Sequence, residues 1–219
     1  MIRSVSKIEL IILYVVLILS IILGVIFIDK INMIDFKILT FVRENFNHGL
    51  IKDIMYLISL LLSPIPMAII FVIICLISKD KSVAIHIIVN VAAAAVLNYI
   101  LKNIFQRERP FEFFLIDETG YSFPSAHSMI AVAFYGTMIY CANKYLYGKK
   151  IGIVISIILW VVMVLTPISR VYLGVHNFTD VLVGSLIGAI IVRTSIFVLN
   201  EIIKKNEKSM LDEAIKKKV

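Results

Sequence analysis

Residues Ile8–Ile28 read IELIILYVVLILSIILGVIFI, a run whose only charge, Glu9, lies beside its first residue. A helix rises ~1.5 Å per residue and the hydrocarbon core of a bilayer is ~30 Å thick, so about 20 apolar residues make a spanning helix. Arg3 and Lys7 precede the run, which is too long for the apolar region of a secretory signal and has no small-residue cleavage site. It therefore predicts an uncleaved first membrane helix. Five further stretches have the same character, and with the first they predict helices near 7–28, 54–78, 82–104, 124–143, 151–169 and 177–200. The expected fold is all-α: a polytopic membrane protein of six transmembrane helices in one bundle. No Pro/Gly/Ser linker, low-complexity tract or repeat interrupts it, so residues 1–219 form one expected domain.

Composition agrees with a lipid environment. Hydrophobic residues make up 60% of the 219 and charged residues 17%, and mean hydropathy is +0.97, against roughly 45–50% apolar content for a soluble domain. The net charge of +7 comes from short lysine runs between apolar segments rather than from one basic face, which argues against a nucleic-acid partner. Cys75 and Cys141 lie in apolar runs without metal-ligand spacing, so neither a disulfide framework nor a zinc site is indicated.

Those lysines set the expected orientation, because Lys and Arg are retained on the cytoplasmic side. Six spans put the N-terminus, residues 79–81, residues 144–150 and the C-terminal tail on one side. That side carries thirteen cations: Arg3, Lys7, Lys79, Lys81, Lys144, Lys149, Lys150 and six lysines beyond 203. The other carries eight, among them Lys102, Arg109 and Arg170. Both termini are expected in the cytoplasm.

Three polar blocks then fall together on the extracytoplasmic face. They are Lys102-x6-Arg109-Pro110, Pro124-Ser125-Ala126-His127 and Ser169-Arg170-x5-His176-x3-Asp180. The set of three cations, two imidazoles, a hydroxyl and a carboxylate suits the binding and cleavage of a phosphoryl group. Pro124 reads as a first-turn residue, so the backbone N–H groups of Ser125, Ala126 and His127 would point out of a positive helix end. Four-residue spacing on one helix would put His176 and Asp180 on a common face, where a carboxylate bonded to one ring nitrogen leaves the other free as a nucleophile. Lys102, Arg109 and Arg170 form the expected clamp on the phosphate oxygens, arginine contacting two at once. Taken singly, these residues are as well explained as interface cations, helix caps or hydrogen-bonded core groups; the shared face and spacing favour chemistry.

Other polar positions have simpler readings. His86, Asn90 and Asn98 lie at helical spacing toward Lys102 and predict interhelical hydrogen bonds; Gly184 and Gly188 predict close helix packing. Residues 33–46 alternate apolar and charged side chains, as in an amphipathic helix lying in the outer interface. Glu9 is expected to reach the cytoplasmic interface.

With its three blocks in order over 102–180, the chain resembles the type 2 phosphatidic acid phosphatase (PAP2) superfamily. The runs Tyr121–Ser128 and Ser169–His176 look most like the bacterial phosphatidylglycerophosphatase B type of membrane lipid phosphatase. The resemblance implies metal-independent hydrolysis through a phosphohistidine, with no cofactor. On that pattern His176 attacks phosphorus, Asp180 orients it, and His127 protonates the leaving oxygen and then activates water, while Lys102, Arg109, Ser125, Ala126 and Arg170 hold the phosphate. Ala126 stands where the family usually has glycine. Implied substrates are phosphatidylglycerol phosphate, phosphatidic acid, diacylglycerol pyrophosphate or undecaprenyl pyrophosphate. The implied setting is a bacterial plasma membrane, with membrane lipids as partners and the chain a monomer or weak homodimer. Two alternatives stay open: a phosphotransferase that passes the phosphoryl group from a lipid pyrophosphate to another acceptor, and a non-catalytic lipid transporter or binding protein.

Overall fold

The computed structural model describes residues 5–46, 49–77 and 80–216. Arg3, Lys79, Lys217 and Lys218 of the charge count, and the final residue of the stretch 54–78, lie outside them. Among the described residues every regular element is helical: α1 (Lys7–Ile26), α2 (Ile28–Phe46), α3 (Gly49–Leu60), α4 (Pro64–Ile77), α5 (Lys81–Phe105), α6 (Ala126–Tyr145), α7 (Lys150–Tyr172) and α8 (Phe178–Lys216), with a 3₁₀ turn at Phe111–Phe113.

Four of these helices, α1, α5, α7 and α8, are long and apolar enough to cross a membrane, and the bent pair α3–α4 makes a fifth if it is one span. The chain is thus a multi-pass membrane protein, but the stretch 54–78 is not one straight helix. α3 begins before it, the chain turns at Leu61–Ser63, and α4 leaves at 53° with Pro64 at its first position, where a missing N–H costs nothing. Hydropathy registers apolar content and is blind to that change of direction.

The stretch 124–143 does form a helix, α6, but not one of the apolar set. The reason is its position. α6 packs against α5, α7 and α8, so it carries small and polar residues where the outer helices carry leucine and isoleucine. Ser128, Met129, Ala131, Ala133, Phe134 and Thr137 are all buried, whereas Ile8, Ile11, Ile18 and Val25 of α1 are exposed, as lipid-facing side chains are. In lipid, association relies on close packing and interhelical hydrogen bonds. A Cβ on Gly184 would lie 2.7 Å from the Ser125 carbonyl oxygen, and one on Gly188 would lie 2.5 Å from that of Met129. Both glycines therefore let α8 lie directly on the α6 backbone.

Asn90 donates to Thr137 Oγ1 at 2.8 Å and Asn98 to the Pro124 carbonyl at 3.0 Å, so both tie α5 to the start or middle of α6 as expected. His86 instead bonds the Ser82 carbonyl of its own helix at 2.8 Å. Glu9 pairs with Arg193 of α8, which sets the start of α1 beside the middle of α8. Cys141 is buried and Cys75 is exposed. The connector expected at 33–46 is the second half of α2, which follows α1 after a break at Phe27.

Candidate active site

α5 ends at Gln106, a non-glycine residue in the left-handed region (φ 46°) whose N–H donates to the Lys102 carbonyl at 3.0 Å. This C-cap turns the chain into the loop 107–125, which carries Arg107, Arg109, Glu118 and Ser122 over the ends of α6 and α8. The loop is held by its backbone: Ser122 N–H donates to the Arg107 carbonyl at 2.7 Å and Leu115 N–H to that of Leu173 at 3.0 Å. On the far side, Gly174 (φ +72°) turns the chain from α7 to α8 so close to Phe113 that a Cβ would overlap the Phe113 carbonyl.

α6 starts two residues later than the sequence suggested, at Ala126 rather than Pro124. Ser125, not Pro124, borders it: its hydroxyl oxygen accepts from Ser128 N–H at 3.4 Å, and Ala126 is the first helical residue. A serine hydroxyl satisfies an orphan N–H, which a proline ring cannot do. Ser125 is fully buried, and its own N–H donates to the backbone carbonyl of Asp180 at 3.0 Å, clamping the starts of α6 and α8 together. The N–H of Ser125 is thereby engaged, whereas Ala126 and His127 sit in the first turn and are partly exposed.

His176 and Asp180 do not share a helix. His176 lies in the turn before α8 and Asp180 in its first turn, yet the four-residue spacing still brings Nδ1 of His176 to 3.6 Å from Asp180 Oδ2. That is ion-pair distance rather than hydrogen-bond length, and Nδ1 has no hydrogen-bond partner among the described residues. The other nitrogen, Nε2, faces Arg109 Nη1 at 3.3 Å. Burial pushes the His176 imidazole down to about 4, against the opposing influence of Asp180. The ring is therefore neutral, with a lone pair, at any pH near 7.

Each cation is already engaged. Arg109 is buried and spans three carbonyls, donating from Nε to Gly120 (2.9 Å), from Nη1 to Val175 (2.6 Å) and from Nη2 to Thr119 (3.0 Å). Arg170 is 2% exposed, donates to Ser59 Oγ at 2.6 Å and pairs with Glu118; its Nε has no partner among the described residues. Lys102 Nζ donates to the Tyr121 carbonyl at 2.6 Å. His127 stands close enough to feel the charges of Arg170, Glu118 and Arg109.

Three participants were not singled out in the sequence. Glu118 sits between Arg170 and Arg109, the latter 3.9 Å away; burial favours its neutral form, but Arg170 and Arg109 hold the carboxyl below the usual range. Ser122 donates to Asp180 Oδ2. Arg107, within the first block, donates to Asp180 Oδ1 at 2.7 Å. Buried cations around a partly exposed carboxylate, beside a neutral imidazole, form a site that can accept an anion in place of that carboxylate and expose it to a nucleophilic nitrogen.

Residues 83–203 match the PAP2 superfamily, a stretch running from α5 into α8 that contains all three blocks. Over 96 residues the chain is 44% identical to phosphatidylglycerophosphatase B of Bacillus subtilis, covering 43% of this chain and 47% of that protein. It is 30% identical over 117 residues to an undecaprenyl-diphosphatase of Sulfolobus acidocaldarius, covering 51% and 52%. The chain thus spans about half the length of the curated relatives it matches. Among solved structures, it resembles the transmembrane PAP2-type phosphatidylglycerolphosphate phosphatase from Bacillus subtilis with a TM-score of 0.75 at 27% identity, over 90% of this chain and 96% of that one. For LpxE of Aquifex aeolicus the TM-score is 0.60 at 26% identity, over 72% and 93%.

Proposed function

We propose that this chain, which belongs to the PAP2 superfamily, is a membrane lipid phosphate phosphatase that works without a metal ion. Its substrate is a lipid phosphomonoester or pyrophosphate. The supporting observation is the convergence of blocks far apart in sequence: Arg109, Arg170 and Asp180 all lie around the one imidazole of His176. In the first step His176 Nε2 attacks phosphorus, the bond to the lipid oxygen breaks, and His127 gives that oxygen a proton. A bound phosphate dianion beside His127 favours the imidazolium needed for this. In the second step His127 takes a proton from water, the water oxygen bonds to phosphorus, and the P–N bond breaks to release phosphate and restore His176. Lys102, Arg109, Arg170, Ser125 and the N–H groups of Ala126 and His127 hold the oxygens, with developing charge met by the positive end of α6.

The same reading treats α3–α4 and α6 as spans, giving six crossings in a single domain. The ion pair between Glu9 and Arg193 and the lysines along the far end of α8 then share the cytoplasmic side with both termini. The catalytic groups lie at the opposite, extracytoplasmic end.

Purified protein in detergent should release inorganic phosphate from short-chain phosphatidylglycerol phosphate, phosphatidic acid or a polyprenyl pyrophosphate in the presence of EDTA. Labelled phosphate recovered on another lipid would instead identify a transferase, and binding without turnover on the whole panel would identify a non-catalytic lipid carrier. Glu118 adds a distinct expectation, since its carboxylate occupies cations that substrate phosphate must take. Glu118→Gln should lower KM for the lipid phosphate, and the inhibition constant of inorganic phosphate, by up to about tenfold, or about 1.4 kcal/mol. A raised KM would make Glu118 a scaffold for the two arginines.

A further inference from the structure

Asp35 is a carboxylate on α2, 145 residues before Asp180, and only 1% exposed. It accepts Arg107 Nη2 at 2.8 Å, Thr179 N–H at 3.0 Å and the Thr179 hydroxyl at 2.5 Å. The same guanidinium reaches Asn32 Oδ1 from Nη2 at 2.7 Å and Asp180 Oδ1 from Nη1 at 2.7 Å. Asp180, with no exposed surface, thus has its two oxygens committed differently. Oδ1 belongs to Arg107, while Oδ2 takes Asn177 N–H at 2.8 Å and the Ser122 hydroxyl, and faces His176.

We propose that Arg107 and Asp35 are positioning residues for the carboxylate that orients the nucleophile: Arg107 pins the outer oxygen of Asp180, and Asp35 pins Arg107 from the interfacial helix α2. This rests on the reading of His176 as nucleophile. A carboxylate can turn about its terminal bond, and Arg107 on Oδ1 acts together with Asn177 and Ser122 on Oδ2 to fix which face it shows the imidazole. Removing Arg107 leaves Oδ1 buried without a partner, so the group must turn, draw a proton or admit water. Arg107 is suited to the task because its planar fork serves two carboxylates at once, one with each Nη. The two acids in turn hold its charge, raising its affinity for its proton despite burial. Met33, Ile34 and Phe36, neighbours of Asp35 on α2, are exposed apolar side chains, so the pin is carried by a helix whose other face meets lipid.

The test uses the full chain in detergent, with kcat and KM measured for the wild type, Arg107→Met, Arg107→Lys, Asp35→Asn and the Asp35→Asn/Arg107→Met double variant. Arg107→Met should lower kcat about a hundredfold with KM within about twofold, and Arg107→Lys, which keeps a cation in reach of Asp180, should recover about tenfold. Asp35→Asn should cost about tenfold in kcat in the wild-type background and nothing further when Arg107 is already Met, because Asp35 acts only through Arg107. Unchanged kcat in folded Arg107→Met, a raised KM with kcat intact, or an Asp35→Asn loss of the same size in both backgrounds would overturn the proposal while leaving the phosphatase reading in place. Should Arg107→Met not fold, Arg107→Lys and Asp35→Asn decide: wild-type kcat in both overturns it. Absence of phosphate release from every lipid by the wild type would instead remove the phosphatase reading, and this role with it.

Discussion

Replacing His176 with asparagine should reduce phosphate release by at least about 10⁴-fold, the scale on which loss of a covalent nucleophile acts in other hydrolases. Asparagine is polar, smaller than imidazole and able to meet Arg109, so the surrounding hydrogen bonds survive while the attacking nitrogen is gone. Quenching the wild type during turnover should trap acid-labile phosphate on the protein, and the variant should show none. Retained turnover would assign the attack to another group. The variant should also differ in its response to acid. The wild-type imidazole is depressed from 6.5 to about 4 by burial, so unfolding takes up a proton throughout that interval. Stability present above pH 6.5 is lost as pH falls toward 4, by on the order of 3 kcal/mol from this residue alone. His176→Asn removes that contribution, so its melting temperature should fall less steeply with acid across the same window.

The three blocks were legible in the sequence because each is local: a fixed spacing at the end of one apolar segment. Their meeting in one site follows from helix order, and the 3.3 Å approach of Arg109 to His176 agrees with it. What spacing did not give is the exact register of caps and turns. α6 begins at Ala126 behind the Ser125 cap rather than with Pro124 in its first turn, and His176 precedes α8 rather than belonging to it, because a side-chain cap and the left-handed Gly174 turn decide where the chain enters each helix. Hydropathy found the stretch that becomes α6 but missed the α3–α4 bend, because it registers apolar content and not direction. Long-range partners left no periodic signal at all. Arg107 is hidden among the unspecified positions of the first block, and Asp35 reads as the wet face of an amphipathic helix. Only the fold joins α2 to α8.

Asp180→Asn tests the other half of the pair and separates electrostatics from shape. The amide is nearly isosteric, its oxygen can still accept from Arg107, and Asp35 continues to hold that guanidinium, so the protein should fold and bind substrate with KM changed by no more than about threefold. The rate should nonetheless fall by about 10³ to 10⁴. The charge that opposes a positive imidazole in the transition state is lost, and the amide group is free to present N–H rather than oxygen to Nδ1, favouring the tautomer that protonates Nε2 and removes its lone pair. The defect should fall on formation of the phosphoenzyme, seen as a slower burst in single-turnover quench. A burst of wild-type speed followed by slow phosphate release would place Asp180 in the hydrolysis step instead. Loss of Arg107 disturbs the same carboxylate from its far side but leaves its charge in place. Its cost should therefore stay below that of Asp180→Asn, and the two together should cost no more than Asp180→Asn alone.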